Sequence, residues 1–386
     1  MKIAHVGDLH VDSRSGEHGH SLDSQEEILK WIGNDAESHG ARLMLVAGDV
    51  FDRKTEACER NLISRIMFKW STCFPVVIVR GNHDGEGELE YIQQMRSISN
   101  IFAVSAVETV HFQGGVIACL PWPSKAAVVA DAGSESCIET RAQAQAALRT
   151  IFDGWRSDRE NSQLPLIVLG HVDVGGAAMD SGQPVSAASE LSVSAHDLLD
   201  IGADYYALGH IHKHQILHER ICYAGSIRQT DFGEDTVKGY CLVDVERGHA
   251  PVIEHHRAPG RKLYTIEAGW ATNQGQLETD NGVRAVDEAI IPGHSYRLQY
   301  TVSSDIREQA RAQAETAKQR WLKAGAASVK IDAKTTQMFR TRSEAIQTAK
   351  TPADKLEAYW KSIGYEPTDC IREMARALES EVGNED

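Results

Sequence analysis

The chain has 386 residues, of which 42% are hydrophobic and 25% charged, the balance of an ordinary globular protein rather than a disordered one. Its formal charge of -15 counts against a protein that grips nucleic acid by its bulk field, so a polyanionic substrate needs a local site or a partner's help. No apolar run approaches the roughly 18 residues of a membrane helix. No signal peptide is expected either, because residues 1–7 read as a strand feeding a polar motif. The seven cysteines contain no Cys-x-x-Cys pair, which argues against both a disulfide framework and a cysteine zinc site. A reducing, cytoplasmic setting follows from that usage.

The first predicted strand, residues 3–7, runs into Asp8-Leu9-His10. A second, 43–48, ends in Gly48-Asp49-Val50-Phe51-Asp52. A helix over 55–70 then places Leu62, Ile63, Ile66, Met67 and Trp70 on one stripe. The third strand, 76–81, meets Gly81-Asn82-His83-Asp84 and is followed by a helical pattern over 88–98. Strands at 166–170 and 205–209 lead into His171 and into His210-Ile211-His212. All five runs are apolar without strict alternation, as expected of strands buried on both faces. Strands alternating with helices predict a layered α/β domain, and ligands of such sheets gather at strand carboxyl ends.

After Pro259 the pattern changes to candidate strands at 262–267 and 295–302, a polar helix over 305–322, and a further strand at 327–331. This predicts a small α+β unit. Thr351-Pro352-Ala353-Asp354 then offers an N-cap, Pro at the first helical position and an acid in the first turn. A second helix is expected from about Thr368. The chain accordingly divides at 1–257, 258–335 and 336–386.

Each polar cluster alone has a bland explanation, since a strand-end Asp often caps a helix and Gly-Asp and Gly-Asn are ordinary turn pairs. Together they are a donor set. Asp, His and Asn supply oxygen and nitrogen ligands with no thiolate among them, which suits Mn, Fe or Zn. Asp8, His10, Asp49, Asn82, His171, His210 and His212 exceed what one ion needs, but fit two ions sharing a bridging carboxylate. The glycines that precede the clusters let the backbone turn sharply.

The ordered set Asp-x-His, Gly-Asp, Gly-Asn-His-Asp, Gly-His and Gly-His-x-His resembles the calcineurin-like metallophosphoesterase superfamily. It is similar more narrowly to the SbcD-type nuclease subunits of SbcC–SbcD repair complexes. The narrower likeness rests on residues 48–52, on Leu191-Ser192-Val193-Ser194 ahead of residues 206–212, and on Tyr223-Ala224-Gly225-Ser226 followed by Asp231-Phe232-Gly233-Glu234. The resemblance implies a metallophosphoesterase β-sandwich flanked by helices (the first 257 residues), a small α+β capping domain, and C-terminal helices that dock a partner ATPase. It implies one ion on Asp8, His10, Asp49 and His212, and another on Asp49, Asn82, His171 and His210. His83 follows a ligand without being one, and is the candidate to protonate the leaving oxygen. Asp52 is expected to hold His83 in the needed tautomer, and Asp84 to support the His83 loop.

The activity so implied is manganese-dependent cleavage of DNA, double-strand exonuclease and single-strand endonuclease, by a homodimer working with an SbcC-type coiled-coil ATPase. No Gly-Lys dipeptide occurs, so a P-loop is absent and any ATP dependence lies in another chain. Arg14, Arg53, Lys54, Lys125, Lys213 and Arg228 stand near the motifs as candidate phosphate contacts. Two competing readings are a free-standing phosphatase or small-molecule phosphodiesterase, and a non-catalytic scaffold on the same fold.

Overall fold

The computed structural model describes residues 1–15, 20–94, 100–112, 114–123, 141–180, 191–234, 236–336, 349 and 351–374. Two six-stranded sheets dominate it. The first runs Val252–Arg257, Gly239–Asp244, Lys2–Val6, Met44–Val46, Val76–Val79, Ile101–Val104. Lys2–Val6 and the three strands after it pair in parallel, while the outer two strands on the other side are antiparallel. The second sheet runs Gln215–His218, Ile221–Tyr223, Tyr205–Gly209, Leu166–His171, Gly115–Leu120, Glu108–Phe112. Its four central strands are parallel and its edges antiparallel.

Period-two alternation explains why the runs look uniformly apolar. In Val76–Val79, Val77 and Val79 join the core between the sheets, while Val76 and Ile78 face helices Leu22–Ser38 and Ala57–Ser71. In Leu166–His171, Ile167 and Leu169 point inward and Leu166 and Val168 meet helix Arg141–Asn161. Both faces of these central strands are therefore dry. The result is a helix–sheet–sheet–helix sandwich, the layered α/β class expected, with parallel strands directing their carboxyl ends to the clusters.

The stripe expected over 55–70 is present in Ala57–Ser71, where Leu62, Ile63, Ile66, Met67 and Trp70 are buried. The helix begins later because Glu56 takes the cap, in a reciprocal box with Glu59. The expected helix over 88–98 is seen as Glu90–Gln93, and 95–99 lie outside the described residues. Downstream, Gln276–Thr279, Leu263–Ala271, Ser295–Ser303 and Ser328–Thr336 form a separate sheet in that order, accompanied by helix Arg307–Lys323. By compactness the chain divides into Met1–Gln299 with Gln313–Asp332, and Tyr300–Ala312 with Ala333–Asp386. In the second unit, helix Pro352–Ile363 is capped by Thr351, whose hydroxyl accepts from the Asp354 N–H, and it stops at Gly364 in the left-handed region. No residue of this helix is buried, and Leu356, Tyr359 and Ile363 are exposed. Among the described residues no helix is long and apolar enough to cross a membrane.

Candidate metal centre

Strand Lys2–Val6 and the loop after it bring Asp8 and His10 to the sheet edge, and the loop after Tyr205–Gly209 brings His210 and His212. Asp8, His10 and His212 form one group of donors with ligand atoms within 4.8 Å of one another. Asp49, His171 and His210 form a second group at the same criterion. Asp49 Oδ2 stands between them, 3.6 Å from His10 Nε2 and 3.3 Å from His171 Nε2. Asn82 Oδ1 completes the second group, 2.9 Å from His171 Nε2 and 2.9 Å from His210 Nδ1. All seven residues read from the sequence thus meet in one place.

Backbone conformation shows how tightly this end of the sandwich is drawn. Asp8, His10, Asp49 and His210 all have positive φ, at 53°, 44°, 49° and 98°, and they are the only non-glycine residues that do so among the described residues. Left-handed backbone is disfavoured for such side chains, and its concentration at one locus marks a functional constraint. Gly48 and Gly81 serve different needs. Gly48 has φ +82° and packs so closely on His171 that a Cβ would overlap the imidazole. Gly81 has ordinary φ, and a Cβ there would overlap the main chain and carboxylate of Asp49.

Residues 1–214 match the calcineurin-like phosphoesterase family. The chain belongs to that family. This phosphoesterase is similar to proteins named as the SbcD component of nuclease SbcCD. That of Staphylococcus epidermidis is 27% identical over 257 residues, 64% of this chain and 66% of that one. That of Escherichia coli K12 is 26% identical over 303 residues, 72% and 74% of the two chains. The Bacillus subtilis 168 protein is 25% identical over 270 residues, 64% and 67%. The alignments cover between about two thirds and three quarters of those relatives' own lengths.

The phosphoesterase residues fit a pair of divalent ions on the chemistry of their second partners. His171 Nδ1 donates to the Ala47 carbonyl at 2.7 Å, which turns Nε2 to face Asp49 and Asn82. His212 turns Nδ1 to Glu234 Oε1 at 2.9 Å, and its Nε2 lies 2.9 Å from His10 Nε2. His210 turns Nε2 to Asp173 Oδ1 at 3.0 Å. His10 has Asp52 Oδ1 at 3.1 Å from Nδ1. Each imidazole is thus held by one nitrogen and aimed by the other, the arrangement in which a carboxylate or carbonyl orients a metal-binding His. Asp8 Oδ2 is buried without a hydrogen-bond partner, as a carboxylate oxygen awaiting a cation would be.

Charge follows the same logic. Burial alone raises a carboxyl and lowers an imidazole, but contact between Asp49 and His171 reverses both. Asp49 is held below the usual carboxylate range against its burial, by His171 first, and His171 is pushed up to about 9 against its own burial, by Asp49. Asp84 goes the other way, up to about 6, through burial and then the charge on Asp49. Its carboxylate accepts N–H bonds from Gly81 at 2.9 Å and Phe51 at 2.9 Å, pinning the second and third cluster loops together.

Asp52 is placed differently from expectation. His83 Nδ1 donates to the Asp52 backbone carbonyl at 2.7 Å, while the Asp52 carboxylate faces His10 and Arg53. The turn at residues 51–54 brings the carbonyl, rather than the side chain, under the exposed His83 ring. Two of the candidate phosphate contacts are also engaged elsewhere. Arg228 is buried and donates to the His10 carbonyl at 2.5 Å, and Arg53 pairs with Asp12 and Asp52. Lys125 lies outside the described residues. Sequence reading missed Asp173 and Glu234 as orienting carboxylates, and Trp122 as a wall, its ring centroid 4.8 Å from that of His210. Glu234 had a signal in its own motif. Asp173, two residues past His171, had none.

Proposed function

We propose that this phosphoesterase hydrolyses DNA, as a double-strand exonuclease and single-strand endonuclease, and is the nuclease subunit of an SbcCD-type repair complex. The observation that carries the reading is the convergence of two donor groups on Asp49 at a family-typical site. Asp8, His10, Asp49 and His212 would hold one ion, and Asp49, Asn82, His171 and His210 the other, with manganese the preferred metal. Such a pair supplies an activated water and neutralises charge on the phosphoryl oxygens. The chain's own contribution is orientation and a proton. The hydrogen bond from His83 Nδ1 to a carbonyl leaves Nε2 to serve the leaving oxygen. Trp122 offers a flat apolar wall beside His210 on which a base could stack.

The exposed apolar residues of helix Pro352–Ile363 support docking to an SbcC-type coiled-coil ATPase, within a C-terminal segment 336–386 that follows a nuclease domain 1–257 and a capping domain 258–335. We place two copies together through the helices after Asp52 and Asp84, in the cytoplasm. The test is cleavage of blunt and hairpin DNA with manganese or magnesium, against hydrolysis of a nitrophenyl phosphate ester. Preference for the ester, with no DNA cleaved even beside the co-expressed ATPase, would favour the phosphatase reading. Failure to retain any ions would favour a scaffold.

A further inference from the structure

The apolar core between the two sheets is interrupted by a cluster that shares no donor with the candidate centre. Cys241 is the cross-strand partner of His5 on one side and of His255 on the other, so these three residues form a row across the first sheet. Tyr205 and Cys222, in the same inter-sheet core, belong to the second sheet. Cys222 Sγ lies 3.8 Å from Cys241 Sγ. His214 Nδ1 lies 3.6 Å from Cys241 Sγ and 4.0 Å from Cys222 Sγ. A ring nitrogen of His5 is within 4.8 Å of both sulfurs. His255 stacks on His214 with ring centroids 4.2 Å apart.

The three closest donors make a nearly equilateral triangle, with a centre about 2.2 Å from each corner, the length of zinc–sulfur and zinc–nitrogen bonds. His5 is in the right tautomer to add a fourth. Its Nε2 donates to the Leu208 carbonyl at 3.1 Å, leaving the lone pair on Nδ1, which now faces the Tyr205 hydroxyl at 2.9 Å. Two thiolates, two neutral imidazoles and a dication sum to zero charge, so an ion here would leave no net charge in a dry interior. We propose that Cys222, Cys241, His214 and His5 bind a zinc-class dication that ties the two sheets together.

The absence of a Cys-x-x-Cys pair conceals this donor set, because the two cysteines come from different sheets, 19 residues apart. Binding releases one proton from each thiol to solvent. His214 Nδ1, 3.0 Å from the Tyr223 carbonyl, gives up that hydrogen bond as the ring proton moves to Nε2, which keeps the imidazole neutral; Tyr205 gives up His5.

Cobalt loading of the full chain tests this independently of any nuclease activity. The candidate centre contains no sulfur, so thiolate-to-cobalt charge-transfer absorption in the near ultraviolet, with strong visible bands of a tetrahedral ion, reports on cysteine ligation and not on that centre, and the Cys222 and Cys241 variants assign it to this site. Wild type and Asp49→Ala should both show these bands, and Cys222→Ser and Cys241→Ser should lose them and hold one ion fewer per chain. Absence of the bands in wild type overturns the proposal, as does their persistence in the cysteine variants. So does a wild-type mass lower by two hydrogens, which would mean a disulfide. If the cysteine variants do not fold, the wild-type spectrum and mass decide.

Discussion

Gly48 and Gly248 allow the strain of a left-handed residue to be separated from the demand of the metal site. Their φ angles are +82° and +81°, but nothing lies within 4 Å of a Cβ built on Gly248. Gly248→Ala should therefore cost only the left-handed penalty, about 1–2 kcal/mol. Gly48→Ala carries the same penalty and also drives a methyl into His171, whose Cγ would be 2.7 Å away and whose ring is fully buried. Overpacking of this kind adds about 1–3 kcal/mol. Displacing His171 also strains its bond to the Ala47 carbonyl, worth about 1 kcal/mol. The expected excess of Gly48→Ala over Gly248→Ala is thus about 2–4 kcal/mol. Urea unfolding of the metal-free chain measures it without any contribution from bound ions. Equal losses in the two variants would refute the close packing of Gly48 on His171 as the reason for glycine there.

Asp49→Ala should remove both ions and abolish hydrolysis, and normal manganese content in that variant would contradict a shared carboxylate. Asp173→Asn should weaken metal binding about 10–100-fold by loosening the His210 ring, as read by chelator competition. His83→Gln should retain the ions and DNA binding while turnover falls about 10²–10⁴-fold in a single-turnover assay. Glu234 is depressed from 4.5 to about 2, against its burial, by His212 and then Lys238. A depressed carboxyl stabilises the fold above its unfolded pKa, so about 3 kcal/mol is present above pH 4.5 and lost as pH falls towards 2. Acid unfolding of metal-free Glu234→Gln should be correspondingly flatter across that window.

Much of this fold is legible because its strands are dry on both faces, so that Leu43 through Ala47 or Leu166 through Leu169 admit no polar residue. The ligand set is legible because each donor follows a strand end. What escapes is whatever depends on side-chain direction. Nothing near Asp52 reveals that its carbonyl would serve His83 and its carboxylate His10. Asp173 sits in a two-residue strand, Asp173–Val174, too short to leave any periodicity. Glycine before each cluster is legible, but its reason is not: Gly48 needs both its φ and the space beside His171, whereas Gly81 and Gly209 are needed for contact alone, with Gly209 against the Ala47 carbonyl.

His10 and His212 face one another across 202 positions of chain. A ribosome must therefore release more than half of the polypeptide before either ion has a full set of donors. Loop closure over such distances is slow, so the order of events in biogenesis is dictated by topology. A chain ending before the fifth cluster would lack His210 and His212, and with them one donor from each of the two groups.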